Sequence, residues 1–336
     1  IYKVMKIRVH EKHTSVRKPP KNATQKNINF FAHELKKEIS SSHYLIEKNV
    51  FVINETLISL RKFRLFTKYT HFPSIKKFDI FKLSLKNILK ARGSKETINE
   101  GIWIIDDKAS NYYHWLLDSL QRYILIPNKY QHFPILIPKN YENKWIIDQL
   151  NFLNLNFKIV KLNTRTKVNK ILIPSYSAQT GNFNVDTLIK LRTLFLKNSE
   201  IKNTDHSPSR IWVDRVNVRR GISNKEEILK ILKKYKFEIL QFENYSISEV
   251  IKILSKTKVL AGPHGSGLAN MLFMNKNSKV IDVREKNDNF RNALMSMASD
   301  LNLNYYCLNS SILDKENESV YLDPQSFEKD LEEILK

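Results

Sequence analysis

Between Arg210 and Leu308 the sequence alternates short apolar runs with amphipathic stretches, and this restricts the fold more than any other feature. The runs RIWVD, FEILQF, KVLAGP, KVIDVRE and NYYCL have the length of strands. The stretches KEEILKILKKY, ISEVIKILSK, GLANMLFM and NFRNALMSMASDL between them have the length of helices. Repeated βα units make a parallel sheet covered by helices, a Rossmann-like domain. Ser223-x-x-Glu226 and Ser246-x-x-Glu249 read as capping boxes at two of the helix starts.

The N-terminal part is less regular. Residues 1–28 are polar and basic and read as an arm. Short β-branched and aromatic runs from Tyr44 to Phe72 suggest strands. GIWIIDD (101–107), FPILIP (133–138) and KILIP (170–174) read as core strands, NYYHWLLDSLQRYILI (111–126) and KWIIDQLNFL as helices. The polar stretch 197–209 marks a linker. Expected domains are therefore 1–200, mixed α/β, and 201–336, the better defined of the two; 336 residues suffice for two cores.

Three segments carry chemistry. The chain has seven glycines, and Gly262, Gly265 and Gly267 fall within six residues of Ala261-Gly-Pro-His-Gly-Ser-Gly-Leu268, between a strand and the next helix. Such a turn exposes backbone amides at a helix start, a ready phosphate site, with His264 at its mouth. An ordinary glycine-rich turn would look the same. It matches neither a Walker A loop nor a G-x-G-x-x-G fingerprint. Arg210, Arg215, Arg219 and Arg220 cluster around the first strand of this domain. Loops at the carboxyl ends of parallel strands share a crevice, so Arg215, Arg219 and Arg220 can face the same ligand, unless they form only a solvated basic loop. On the helix 111–126, Asn111, His114, Asp118 and Arg122 form one polar stripe: a solvent face, or a His–Asp pair one turn apart that handles protons.

The formal charge of +22 attracts polyanions without naming one. The single cysteine, Cys307, excludes an intramolecular disulfide framework and suits a reducing cytoplasm. No apolar run approaches the ~20 residues that span a bilayer, and IYKVMKIRVHEKH lacks the apolar core of a signal peptide. The expected place is cytoplasmic, at most at the inner face of the membrane. No two aspartates are separated by one residue, so a D-x-D metal motif is absent. A leaving diphosphate would have to be met by arginines and backbone dipoles.

Together these segments resemble glycosyltransferase family 61, which includes plant β-1,2-xylosyltransferases, animal protein O-linked N-acetylglucosaminyltransferases and many bacterial proteins of polysaccharide loci. NYYHWLLDSLQRY resembles its HW-x-x-D-x-x-PR helix, with Gln121 in place of the proline. RIWVDRVNVRRGISNKEEI resembles its R…RR-x-x-N-x-E segment, and LAGPHGSGLANMLFMNKNSKVIDV its glycine-rich signature. The match runs from about residue 101 to 307; residues 1–100 carry no family motif. The resemblance implies an α/β GT-B architecture, two Rossmann-like domains facing a cleft, with a terminal helix that packs back across their junction. It implies inversion without a metal or other cofactor, a nucleotide-sugar donor (UDP-sugar favoured) and a glycan or lipid-linked glycan acceptor, acidic if the basic excess is functional. Asp118 would be the general base, coupled to His114. Arg215, Arg219, Arg220, Asn224, His264, Gly265, Ser266 and Gly267 would hold the donor. The alternatives are a non-catalytic polyanion- or nucleic-acid-binding protein, for which no helix-turn-helix, zinc spacing or RNA-binding aromatic motif is present, another nucleotide-sugar enzyme such as an epimerase, and an inactive family member.

Overall fold

The computed structural model describes residues 5–71, 76–91, 96–199, 208–215, 221–285, 288, 291–314 and 319–336. The chain forms two compact units: residues 1–13, 39–180 and 186–194, and residues 14–38, 181–185 and 195–336. The expected linker at 197–209 falls largely outside the described residues.

The strands up to residue 174 are β1 (Met5–His10), β2 (His13–Val16), β3 (Lys36–Ile39), β4 (Ser42–Ile53), β5 (Thr56–Ser59), β6 (Arg64–Leu65), β7 (Glu96–Ile102), β8 (Ile135–Pro138), β9 (Phe157–Val160) and β10 (Thr166–Pro174). The first unit's sheet runs β6-β5-β4-β10-β7-β8-β9, with β1 paired to β4, while β2 and β3 pair separately. From β10 to β9 the pairing is parallel. From β10 through β4 and β5 to β6 it is antiparallel. Only half of this sheet therefore has the parallel order expected of a Rossmann-like domain. The difference begins at the turn after Ile53, where Asn54 takes a positive φ of 51°, a conformation that folds β5 back beside β4. Residues 1–28 are not an irregular arm either. Met5–His10 forms β1 on the sheet edge, and Arg17 is buried in the second unit, bonded to Asp300, Asn182 and Ser296.

The second unit follows the alternation in the sequence. Its strands are β11 (Arg210–Val213), β12 (Glu238–Leu240), β13 (Val259–Pro263), β14 (Lys279–Glu285), β15 (Asn304–Asp314) and β16 (Ser319–Tyr321), in the order β12-β11-β13-β14-β15-β16. All pair in parallel except β16. Every residue of β13 is buried, as fits an inner strand of a parallel sheet, whereas the edge strand β12 is partly exposed. The terminal helix Pro324–Leu335 places Phe327, Leu331 and Ile334 in this unit's core, against residues such as Trp212 and Leu232. Ser246 and Glu249 form the expected capping box. Ser223 and Glu226 do not: Asn224 is the N-cap residue, and the Ser223 hydroxyl donates to the Val320 carbonyl.

The order of strands locates a crevice. The chain passes from β11 to β12 on one side, then returns to place β13 on the other side of β11. Ligands of open α/β sheets bind outside the carboxyl ends of strands at such a reversal. Arg215 follows β11 and His264 follows β13.

Candidate active site

The turn after β13 is built around close approach. A Cβ on Gly262 would sit 3.0 Å from the Val213 carbonyl oxygen, and one on Gly267 2.6 Å from Val213 Cγ1. These glycines thus let the turn press against the end of β11. At Gly265 the neighbour is charged: a Cβ there would lie 2.7 Å from Arg215 Nη1. The Arg215 guanidinium lies against the bare backbone of the turn and donates to the His264 carbonyl at 3.0 Å. The stretch GLANMLFM, expected as a helix, forms most of a 3-10 helix over Ser266–Phe273.

His264 is tied down from behind. Its backbone N–H donates to Val283 O, and its ring Nδ1 lies 2.8 Å from Asp282 Oδ2. Asp282 is fully buried in the middle of β14 and also accepts from the Tyr305 hydroxyl at 2.5 Å. The bond to this buried carboxylate fixes the orientation of the ring. Beside Arg215 lies a cavity of about 60 Å³ lined also by Trp212, Asp214, Lys225 and Pro263. Asp214 is engaged by Lys225 and by Gln241.

In the first unit, the helix starts at Asn111, whose side chain accepts from the Tyr113 N–H. It is α-helical over Tyr112–His114, π-helical over Trp115–Ser119 and α-helical again over Leu120–Ile124. A π segment inserts one extra residue per turn and re-aims the side chains it carries, a device frequent at functional sites. Here it carries Asp118. His114 Nδ1 is hydrogen-bonded to Asp118 Oδ2 at 2.7 Å. Burial raises the Asp118 carboxyl above its ordinary value, and the hydrogen bond from His114 works against that rise. The Gln121 side chain donates to the Leu117 carbonyl inside the π segment and accepts from Ser177.

The polar stripe is exposed only at its start, Asn111: His114 is half-buried, and Asp118 and Arg122 are buried. Arg122 donates to the carbonyls of Ile104, Pro174 and Tyr69, and so ties the ends of β7 and β10 to the short helix Thr67–Thr70. Beyond Tyr69 lies a groove of about 560 Å³ lined by Lys6, His43, Arg64, Phe66, Lys68 and Tyr69 among others, with no acidic residue among the described residues of its lining. His43 bonds the Tyr69 hydroxyl, and burial together with Lys6 and Arg8 lowers its pKa to about 4.

The family described as Glycosyltransferase 61 matches residues 112–281, just over half of the chain, from the start of the Asp118 helix to the strand that carries Asp282. The chain belongs to glycosyltransferase family 61. No curated protein matches it.

Several residues expected in the site of this family 61 glycosyltransferase are now placed. Arg215, His264, Gly265, Ser266 and Gly267 meet at one strand edge of the second unit, and His114 and Asp118 pair in the first. Arg219 and Arg220 lie outside the described residues. The Asn224 amide donates to Leu322 O and to Glu227, holding the chain after β16. Sequence reasoning missed Asp282, Tyr305 and Asp106. An aspartate inside the apolar run KVIDVRE was the available signal, since a charge buried in a strand requires a partner. Asp106, buried beside Arg122, accepts from Tyr176, and nothing in its local sequence separates it from exposed Asp-Asp pairs.

Proposed function

We propose that this family 61 glycosyltransferase transfers a sugar from a nucleotide-sugar, UDP-sugar favoured, to a glycan or lipid-linked glycan in bacterial surface polysaccharide synthesis such as capsule formation. The reaction is an inverting, metal-independent displacement by a GT-B enzyme working on the cytoplasmic side, with the donor on the second unit and the acceptor on the first. Asp118 removes the acceptor hydroxyl proton as that oxygen attacks the anomeric carbon. The bond from that carbon to the diphosphate breaks, and negative charge develops on the leaving oxygens. Arg215, with Arg219 and Arg220, the amides at Gly265–Gly267 and Nε2 of His264 meet that charge.

The observation that carries this reading is the Asp282–His264 bond beside Arg215 at the glycine turn, an oriented imidazole and a guanidinium at the carboxyl ends of adjacent parallel strands. The basic groove at Lys6, Arg64 and Lys68 supports an acidic acceptor. The test is a thermal-shift panel of UDP, GDP, CMP and their sugar conjugates, with and without EDTA. A ligand at ~100 times its Kd adds about 2.7 kcal/mol of stability. A rise with one nucleotide class that EDTA leaves unchanged is expected. A rise that EDTA abolishes would overturn the metal-independent site, and no rise with any nucleotide would favour a polyanion-binding or inactive homologue.

A further inference from the structure

The helix Lys77–Lys90 in the first unit buries a narrow face and turns most of its large apolar residues outward. Ser84 and Asn87 are buried on it beside Ile80. Asn87 accepts from Asn54 Nδ2 at 3.2 Å and donates to Thr56 Oγ1 at 3.1 Å, so polar bonds dock this helix onto the β4–β5 hairpin. Phe78, Phe81, Leu85 and Leu89 are 65%, 55%, 46% and 68% exposed. At about 100° per residue these four share an arc of roughly 80°. They form one stripe that the unit's own core leaves uncovered.

Beside the stripe stand Lys82, Lys86 and Lys90, all exposed, with Asp79 as the helix's single acid. The Lys82 ammonium lies 4.3 Å from the centroid of the Phe78 ring, placing apolar and cationic groups side by side. A stripe of this kind on a soluble surface marks something that covers it. A second copy of the chain would bring lysine against lysine with only Asp79 to answer them. An acidic lipid surface answers both halves, the acyl boundary taking the rings and leucines and the headgroup phosphates taking the lysines. No helix among the described residues is long and apolar enough to cross a membrane, so the contact is one of a helix lying in the surface.

We propose that Lys77–Lys90 is an interfacial helix that seats the first unit on an anionic bilayer, with Phe78, Phe81, Leu85 and Leu89 inserted below the headgroups. This rests on the helix alone and holds whatever reaction the chain catalyses.

The experiment is flotation of the full chain with vesicles of phosphatidylcholine alone and of phosphatidylcholine mixed with phosphatidylglycerol, beside sedimentation velocity without lipid. The wild type is expected to float with the anionic vesicles and weakly with the neutral ones. Phe78→Gln with Leu89→Gln, at the two most exposed positions, should lower the partition coefficient about tenfold or more with the melting temperature held. Lys82→Gln with Lys86→Gln leaves every apolar contact intact and should remove most of the preference for anionic vesicles, which keeps the proposal testable if the first variant folds poorly. Absence of flotation by the wild type overturns the proposal. So does binding that both double variants retain, since the general positive charge would then suffice. A lipid-independent dimer dispersed by Phe78→Gln with Leu89→Gln, without vesicle binding, assigns the stripe to a second copy instead.

Discussion

The two units each hold a histidine whose Nδ1 bonds an aspartate, at 2.7 Å for His114–Asp118 and 2.8 Å for His264–Asp282. The likeness ends with the bond. His114 and Asp118 are one turn apart on one helical segment, and a π-helical stretch aims the carboxylate. His264 lies in a turn, and its aspartate comes from the adjacent strand, with Tyr305 contributed by the strand beyond that. In the first pair burial makes the carboxylate reluctant to ionise, which suits a group that must take up a proton. In the second, the carboxylate sits behind the ring and orients it, which suits a ring that must hold a ligand. On the proposed mechanism one geometry would serve proton transfer in one setting and positioning in the other, and the surroundings would decide which.

The largest effect that can break this comparison is in the first pair. Asp118→Asn should lower kcat about a thousandfold while nucleotide affinity, read by calorimetry, stays at the wild-type value. Retention of more than a tenth of wild-type kcat would remove Asp118 from the role of base. The second pair should show the reverse pattern. His264→Ala should raise the nucleotide Kd about 10- to 100-fold, the worth of a charge-assisted hydrogen bond. Asp282→Asn should weaken binding in the same direction, because the carboxylate acts through the ring. If Asp282→Asn binds nucleotide as the wild type does, the ring is held by something other than β14.

A pH profile sharpens the contrast. With Asp118 as the proposed base, activity would require its ionised form. So kcat/KM should fall as pH drops through its raised pKa, with the acidic limb above the ordinary carboxylate value of 3.8. The His114 hydrogen bond lowers that pKa, so His114→Ala should move the limb to higher pH; a shift to lower pH is the outcome that sinks the coupling. The same raised pKa fixes the sign for stability. The folded state holds the Asp118 proton more tightly than the unfolded chain, so stability is lost as pH rises from the unfolded value through the folded one. Thermal melts of Asp118→Asn should therefore show a gain at neutral pH that vanishes in acid. The smallest effect is expected from Tyr305→Phe, which removes one of the donors to Asp282 and should weaken nucleotide binding only about threefold to tenfold.

Local rules carried some of this architecture and not the rest. The Ser246–Glu249 capping box, the βα alternation after Arg210 and the glycine turn at His264 all depend on residues within one or two elements, and each is legible in the chain. The Ser223–Glu226 pattern satisfies the same local rule, yet the hydroxyl of Ser223 serves the Val320 carbonyl, nearly a hundred residues later. The antiparallel half of the first sheet and strand β1 likewise depend on distant pairing: β1 is held by β4, and β4 by β10.

The sequence alone therefore determined the family, the alternation of the second unit and the i, i+4 pairing of His114 with Asp118, since helical spacing brings those two side chains to one face in any context. It could not determine that Asp118 and Arg122 face inward, because an amphipathic stripe has the same spacing whether water or protein covers it. Nor could it choose Asp282 and Tyr305 as the supports of His264, or turn Phe78, Phe81, Leu85 and Leu89 away from the core. Those assignments depend on which strands become neighbours and which helix face finds partners, and only packing across long separations in the chain decides them.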